Sequence, residues 1–235
     1  MAIGISPLVD YAFKLMLGSP EHSGITVHFV NAILGGQPQM TQVAFRDSIP
    51  GIKSNDDQVS VLATDAKGRR LNLEILTSVP SELPQRLTYC AAASFTGLLD
   101  EALSYQTPRP SITICVLSGA LSSSQPSLHL DFRMRDSKSN LAATDDFQIR
   151  ILQLHHLQIT AELVCHATPM EQWAYFLANV QTMTIEDVQR LFPDRVFQEA
   201  FGVLEMISQT PEQMLRYNVR LEHRNGEEAR QSLAR

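Results

Sequence analysis

The sequence predicts an α/β fold, a mixed sheet flanked by helices, followed by a helical C-terminal region. Along residues 1–117 the spacing of apolar residues changes between helical and alternating, which gives the order helix, three strands, helix, strand. From Pro169 onward the spacing is helical throughout. The chain has 235 residues, of which 44% are hydrophobic and 19% charged, so it can bury a substantial core and is not a disordered chain.

Two helices are predicted first. Ser6 and Pro7 supply a capping hydroxyl and a proline at the first helical position, and apolar residues then recur at helical spacing as far as Gly18. A second helix is predicted over residues 23–34, because Gly35-Gly36 would end it there.

Alternating segments follow and predict strands at 40–49, 58–64 and 70–76. The last two are joined by Asp65-Ala66-Lys67-Gly68-Arg69, a turn-forming segment, so they should form a hairpin. A helix over about 81–104 precedes the continuous apolar run 111–117, which is typical of a buried parallel strand. A helix between two strands of one sheet is the crossover that parallel pairing requires.

The remaining segments extend this core. Residues 127–133 and 147–152 are predicted as added edge strands, and four amphipathic helices follow with caps at Thr168, Thr184 and Thr210. The polar last ten residues are expected to fray. We therefore expect a core over 1–160 and a C-terminal helical region over 161–235 packed on it.

Charge and composition limit the partners and the compartment. The net charge is −6, from 19 Lys+Arg against 25 Asp+Glu, which counts against strong unaided DNA binding without forbidding a local basic groove. No apolar run approaches the length of a membrane span, and the opening residues lack the features of a signal peptide. We expect a cytoplasmic protein without a membrane partner, whose three cysteines, Cys90, Cys115 and Cys165, are reduced thiols.

Seven short motifs occur in order along nearly the whole chain. They are DYAFKLMLG (10–18), VNAILG (30–35), ATDAKGRRLNLE (63–74), RLTY (86–89), the segment 105–116, LQLHHL (152–157) and RLE (220–222). Each motif is loose, but their order and spacing together resemble the PD-(D/E)XK nuclease superfamily, and within it the recombination-promoting nuclease and transposase (Rpn-like) family. The resemblance implies a restriction-endonuclease-like core.

The resemblance also implies an activity, the Mg²⁺-dependent cleavage of DNA phosphodiester bonds. In the family an Asp on the first hairpin strand and a Glu on the second hold the cation, and a Lys or Gln two residues later orients the attacking water. Here Glu74 matches the Glu, Ser60 stands at the Asp position and Leu76 at the Lys/Gln position. Closing the turn around 65–69 should place Ser60 opposite Glu74.

Other aspartates do not replace the missing ligand on the predicted strands. Asp57 and Asp65 lie at odd offsets from Ser60 and point to the other face unless a bulge intervenes. Asp56 has the right parity but lies four residues away, roughly 13 Å along a strand. One carboxylate and one hydroxyl make a poor Mg²⁺ site, so Mg²⁺ is the cofactor of the family and we expect none bound in this chain.

Several residues have two interpretations. Asp10 could reach an active-site cleft from the first helix or form an i,i+4 ion pair with Lys14. Arg86 and Tyr89 could line a groove, or the tyrosine could be packed and the arginine exposed. His155-His156 and Cys165-His166 are considered as zinc ligands, but adjacent residues on a strand point in opposite directions, which disfavours that site.

Two functions from different classes follow. The chain could be a nuclease-family, transposase-like protein whose DNA cleavage is weak or lost, with Glu74 as the remaining ligand. Alternatively, it could be a non-catalytic interaction or regulatory module that pairs with itself or with an active relative. Leu76 and the acidic balance favour the second, and the near-complete family pattern favours the first. Whether the chain is an enzyme stays open at this point.

Overall fold

A computed structural model describes residues 1–36, 40–46, 60–77, 79, 81–102, 110–121 and 126–233. These residues form one six-stranded sheet and seven α-helices. The strands are β1 (Val43–Arg46), β2 (Ser60–Asp65), β3 (Arg70–Leu76), β4 (Ser111–Leu117), β5 (His129–Arg135) and β6 (Ala142–Gln153). The helices are α1 (Asp10–Gly18), α2 (Ser23–Leu34), α3 (Leu83–Ala102), α4 (Pro169–Asn179), α5 (Ile185–Leu191), α6 (Arg195–Gln209) and α7 (Pro211–Leu233).

The strands lie in the order β1-β2-β3-β4-β6-β5. β2 and β3 form the predicted antiparallel hairpin, and β4 is parallel to β3 with α3 as the crossover between them. β6 is parallel to β4, and β5 is antiparallel to β6 at the end of the sheet. The mixed α/β fold expected from the order of elements is therefore confirmed.

The hairpin turn between β2 and β3 is fixed by Asp65. Its carboxylate accepts hydrogen bonds from the backbone N–H of Lys67 (3.0 Å) and Arg69 (2.7 Å), and its carbonyl accepts one from Gly68 (2.9 Å). Gly68 has φ +77°, a left-handed conformation that glycine adopts without steric cost. This turn sets the register in which Ser60 is the Cα partner of Glu74.

The two faces of the sheet carry different layers. Because side chains alternate along a strand, Leu71 and Leu73 of β3 point to the large core that also contains buried residues of α1, α2 and the C-terminal helices. Glu74 points to the other face, which α3 covers with a smaller apolar cluster.

The C-terminal helices share the large core with the first two helices. Trp173 of α4 and Phe29 of α2 lie in one apolar cluster with ring centroids 5.5 Å apart. Tyr217 of α7 is buried and its hydroxyl accepts a hydrogen bond from the backbone N–H of Ser6 (2.9 Å). The C-terminal helices therefore share one apolar core with α1 and α2, while the division into a core over 1–160 and a helical region over 161–235 stays a prediction.

Three details differ from the sequence prediction. β6 is an interior strand rather than an edge strand, since it pairs with β4 on one side and β5 on the other. The first helix begins at Asp10, because the Ser6 hydroxyl accepts from the backbone N–H of Leu8 and caps a turn instead. α7 extends to Leu233, further than the predicted helix, because its last residues include good helix formers such as Glu, Ala and Arg, while the fraying of these residues stays a prediction.

Candidate functional site

Glu74 lies on the face of β3 that α3 covers, and only 5% of the residue is exposed. Its Oε1 accepts a hydrogen bond from the Asn72 side-chain amide (2.9 Å), and its Oε2 accepts one from Nη2 of Arg86 (2.9 Å). Arg86 comes from the first turn of α3, which follows β3 directly along the chain. A buried carboxylate is tolerated only when it is paired and hydrogen-bonded, and Arg86 and Asn72 supply both conditions.

Two thiols lie in the surroundings of Glu74. Burial raises the pKa of Cys90 to about 11, and the Glu74 carboxylate raises it as well. Burial raises the pKa of Cys115 well above its usual value, again with a smaller contribution from Glu74. Since only a thiolate is a strong nucleophile or metal ligand, both cysteines are neutral core residues at pH 7. Cys90, Cys115 and the half-buried Cys165 are free cysteines.

The two positions expected to help Glu74 carry other chemistry. Ser60 is the Cα partner of Glu74, so the predicted pairing across the hairpin is found. Leu76 packs against the apolar cluster that contains Leu83 and Leu87 of α3 and Leu117 of β4. A leucine in such packing has no polar atom with which to orient a water molecule.

A row of polar residues beside Glu74 was not identified from the sequence. Asn72 and Arg70 precede it on the same face of β3, and Thr113 lies beside Asn72 on β4. Oδ1 of Asn72 and Oγ1 of Thr113 are buried and have no hydrogen-bond partner among the described residues, and Nη1 of Arg70 donates to the Ser94 carbonyl of α3 (3.2 Å). The alternation of Arg70, Asn72 and Glu74 with leucines was the available signal, since a strand buried on both faces rarely keeps polar residues at every second position.

The other candidates lie elsewhere or have different partners. Asp10 forms an ion pair with Arg220 of α7 rather than with Lys14, and α1 packs on the face of the sheet opposite to Glu74. Arg86 is paired with Glu74, while Tyr89 is 60% exposed, which is the reverse of the packed-tyrosine interpretation. Glu74 and Asp10 are therefore not brought together.

The described residues around Glu74 do not fit a Mg²⁺ ion. Both oxygens of Glu74 accept N–H donors, and the carboxylate of Asp65 is engaged by Nε of Arg69 (2.7 Å) and by the turn. Asp56 and Asp57 lie outside the described residues. Within the part of the chain that the structure describes, no group of three or more His, Cys, Asp or Glu could hold a metal. His155-His156 and Cys165-His166 therefore do not belong to such a group. A hard cation needs several oxygen ligands, and Glu74 offers one carboxylate that is already neutralised.

The sequence was compared with protein families, curated proteins and solved structures. A family model described as PD-(D/E)XK nuclease family transposase matches residues 7–230, nearly the whole chain. A search of curated proteins and a search of solved structures each returned no match. Across the described helices, none combines the length and the apolar character that a bilayer crossing demands.

Proposed function

Because the chain belongs to the PD-(D/E)XK nuclease family transposases, we propose that it keeps the nuclease fold of that family while its metal-dependent DNA cleavage is weak or lost. The observation that carries the proposal is the ion pair of Glu74 with Arg86 (2.9 Å) in the place where the family holds a cation. The guanidinium already neutralises the carboxylate, so little negative charge remains to attract a divalent ion.

The helper positions support the same proposal. Efficient phosphodiester hydrolysis needs a metal-bound or oriented water, and the packed side chain of Leu76 supplies neither a ligand nor a hydrogen-bond acceptor. The position paired with Glu74 is Ser60, which brings no second carboxylate. Residues at both of these positions would have to change before the family chemistry could operate.

A plasmid-nicking assay with Mg²⁺ or Mn²⁺ tests this function. We expect the wild-type chain to give no cleavage above that of Glu74→Ala, with the exposed Glu82→Ala as the matched control. Calorimetric titration with either ion should show no binding that Glu74→Ala removes. Rapid metal-dependent nicking by the wild type that Glu74→Ala abolishes would contradict the proposal, whereas weak nicking that Glu74→Ala removes would mean that cleavage is weakened and not lost.

The double variant Ser60→Asp with Leu76→Gln tests how far the loss extends. It introduces a carboxylate at the position paired with Glu74 and an amide that could orient water, so we expect a gain of Mg²⁺-dependent nicking that Glu74→Ala removes. Burying the amide costs about 1–3 kcal/mol if it finds no partner, so the variant should be folded but less stable. A folded variant without metal affinity or cleavage would show that more than these two positions has changed.

A second proposal is a non-catalytic interaction or regulatory module that pairs with itself or with an active relative. It is favoured by the net charge of −6 and by the apolar packing of Leu76. A gel-shift titration with duplex DNA separates the two proposals. A nuclease-like protein should still bind DNA, whereas for the interaction module we expect at most weak binding that disappears as the salt concentration rises.

A further inference from the structure

We propose that two copies of this chain pair through β5, edge to edge and antiparallel, with the two-fold axis at Phe132. β5 is the last strand of the sheet and pairs with β6 along one edge. Among the described residues no strand pairs with its other edge, which leaves backbone N–H and C=O groups available to another chain. The inference deepens the second proposal, pairing of the chain with itself, and does not depend on whether DNA is cleaved.

One face of β5 is a row of apolar side chains. Phe132 is 47% exposed, Met134 is 51% exposed, and Leu130 on the same face is half-buried. Edge strands of monomeric proteins normally avoid such a row, because it favours association with a second strand. The neighbouring apolar side chains of a paired strand would shield part of this surface from water.

The sequence of β5 is complementary to itself. Antiparallel pairing centred on Phe132 places Phe132 opposite Phe132 of the partner subunit and Leu130 opposite Met134 of the partner subunit. The same register places Asp131 opposite the partner's Arg133, and Arg133 opposite the partner's Asp131. Apolar and oppositely charged cross-strand pairs stabilise a sheet. A shift by one residue would set Phe132 against an arginine and Asp131 against a methionine, so a single register is favoured.

The charges around β5 are compatible with this contact. Nε of Arg133 lies 3.1 Å from Asp131, and its Nη1 lies 2.8 Å from Asp145 of β6. Asp131 also lies 3.3 Å from Nη2 of Arg150 of β6, so both charges that face the partner already have partners of opposite charge in one subunit. Burial lowers the pKa of His129, so its pairing with Arg135 of the partner subunit does not set two full cations together at pH 7.

The strand itself is continuous. The register with β6 shifts twice, from Arg133↔Gln148 to Met134↔Thr144 and then to Arg135↔Ala142, and both shifts place the extra residues in β6 and not in β5. A bulge in an edge strand commonly blocks pairing, and the outer strand here has none in the described register.

Cross-linking at the two-fold axis tests the geometry. Directly opposed residues of an antiparallel pair have Cα atoms about 4.5–5.5 Å apart, which a disulfide can bridge. In a Cys165→Ser background, Phe132→Cys should give mostly covalent dimer on mild oxidation. Leu141→Cys, which is more exposed (71%) but lies off the axis, is the matched control and should give far less. Equal cross-linking of the two variants, or none at Phe132→Cys, would overturn the proposal.

Sedimentation of the full chain over a range of concentrations tests the charge pairing. We expect a concentration-dependent dimer whose dissociation constant rises about tenfold or more in Arg133→Asp or Asp131→Arg, since like charges then face each other twice. The double variant Asp131→Arg with Arg133→Asp restores opposite charges and should recover most of the affinity. Arg190→Asp, which breaks the exposed ion pair with Asp187, is the control and should change nothing.

Three outcomes would contradict the contact. A chain that is monomeric at every concentration has no such dimer. A dimer that is insensitive to both single charge variants, Arg133→Asp and Asp131→Arg, uses another surface. A dimer that dissociates in Leu215→Lys would assign the contact to the exposed residues Leu215 and Val219 of α7. Circular dichroism of each variant confirms that it is folded before its association is compared.

Discussion

The two faces of the central sheet are built from different side chains. Against α1, α2 and the C-terminal helices, the strands present leucine and isoleucine, and Trp173 packs there against Phe197 with ring centroids 4.7 Å apart. Against α3, β3 presents Asn72 and Glu74, and β4 presents Thr113. One face is a continuous apolar core, and the other is a thin apolar cluster around buried polar groups.

This difference suggests that the apolar face stabilises the fold, whereas the polar face was kept for another reason. Burying polar atoms without hydrogen bonds costs free energy, and in the described part of the chain Oδ1 of Asn72 and Oγ1 of Thr113 are buried in that way. An apolar row at the same positions would stabilise the protein more, so the polar row is not explained by stability. We expect substitutions on the apolar face to lower the free energy of unfolding most. Substitutions and chemical modification on the α3 face should show whether water reaches the polar row and how strongly its ion pair contributes to stability.

The largest expected effect is on the apolar face. Trp173→Ala removes a fully buried ring and the hydrogen bond from its Nε1 to Nδ1 of His28 (2.9 Å), so the free energy of unfolding should fall by about 3–5 kcal/mol. Urea denaturation measures this, with the exposed Leu215→Ala as a control that should change little. A loss of less than 1 kcal/mol, on the order of a surface substitution, would contradict the central place of this core.

The next effect concerns the thiols beside Glu74. A pKa raised from 9.0 to about 11 lowers the thiolate fraction of Cys90 at pH 8 about a hundredfold. Because only the thiolate reacts with alkylating reagents, the alkylation of Cys90 should be slower by about the same factor. In the folded protein we expect Cys165 to be modified first and Cys90 and Cys115 much later, while all three react alike in denaturant. Mass spectrometry of peptides after timed alkylation measures the order. Rapid modification of Cys115 would show that water reaches the α3 face.

The smallest of the three effects concerns the ion pair itself. Arg86→Ala leaves Glu74 buried without its cation and should cost about 2 kcal/mol, less than for a fully buried pair because the Arg86 side chain is 21% exposed. Replacing both partners, as Arg86→Met with Glu74→Leu, should restore most of the stability, since an apolar pair needs no compensation. A double variant that is less stable than Arg86→Ala would show that the polar row contributes to stability after all.

The sequence by itself determined the elements and their local geometry. Helical and alternating spacing located α2, the β2–β3 hairpin and β4, because these periods follow from backbone geometry alone. The pairing of Ser60 with Glu74 was also predictable, because the short turn between Asp65 and Arg69 fixes the register of the strands it joins.

Only the tertiary structure decided what covers each face and which charges meet. Periodicity showed that Glu74 lies on the polar face of β3, but the pairing with Arg86 depends on how α3 returns across that face. Asp10 had a local partner in Lys14, yet it pairs with Arg220, 210 residues away along the chain. Likewise β6 is interior because β5 pairs outside it. These contacts join elements that are distant in sequence, and their geometry is set by the packing of whole helices and strands rather than by any local pattern.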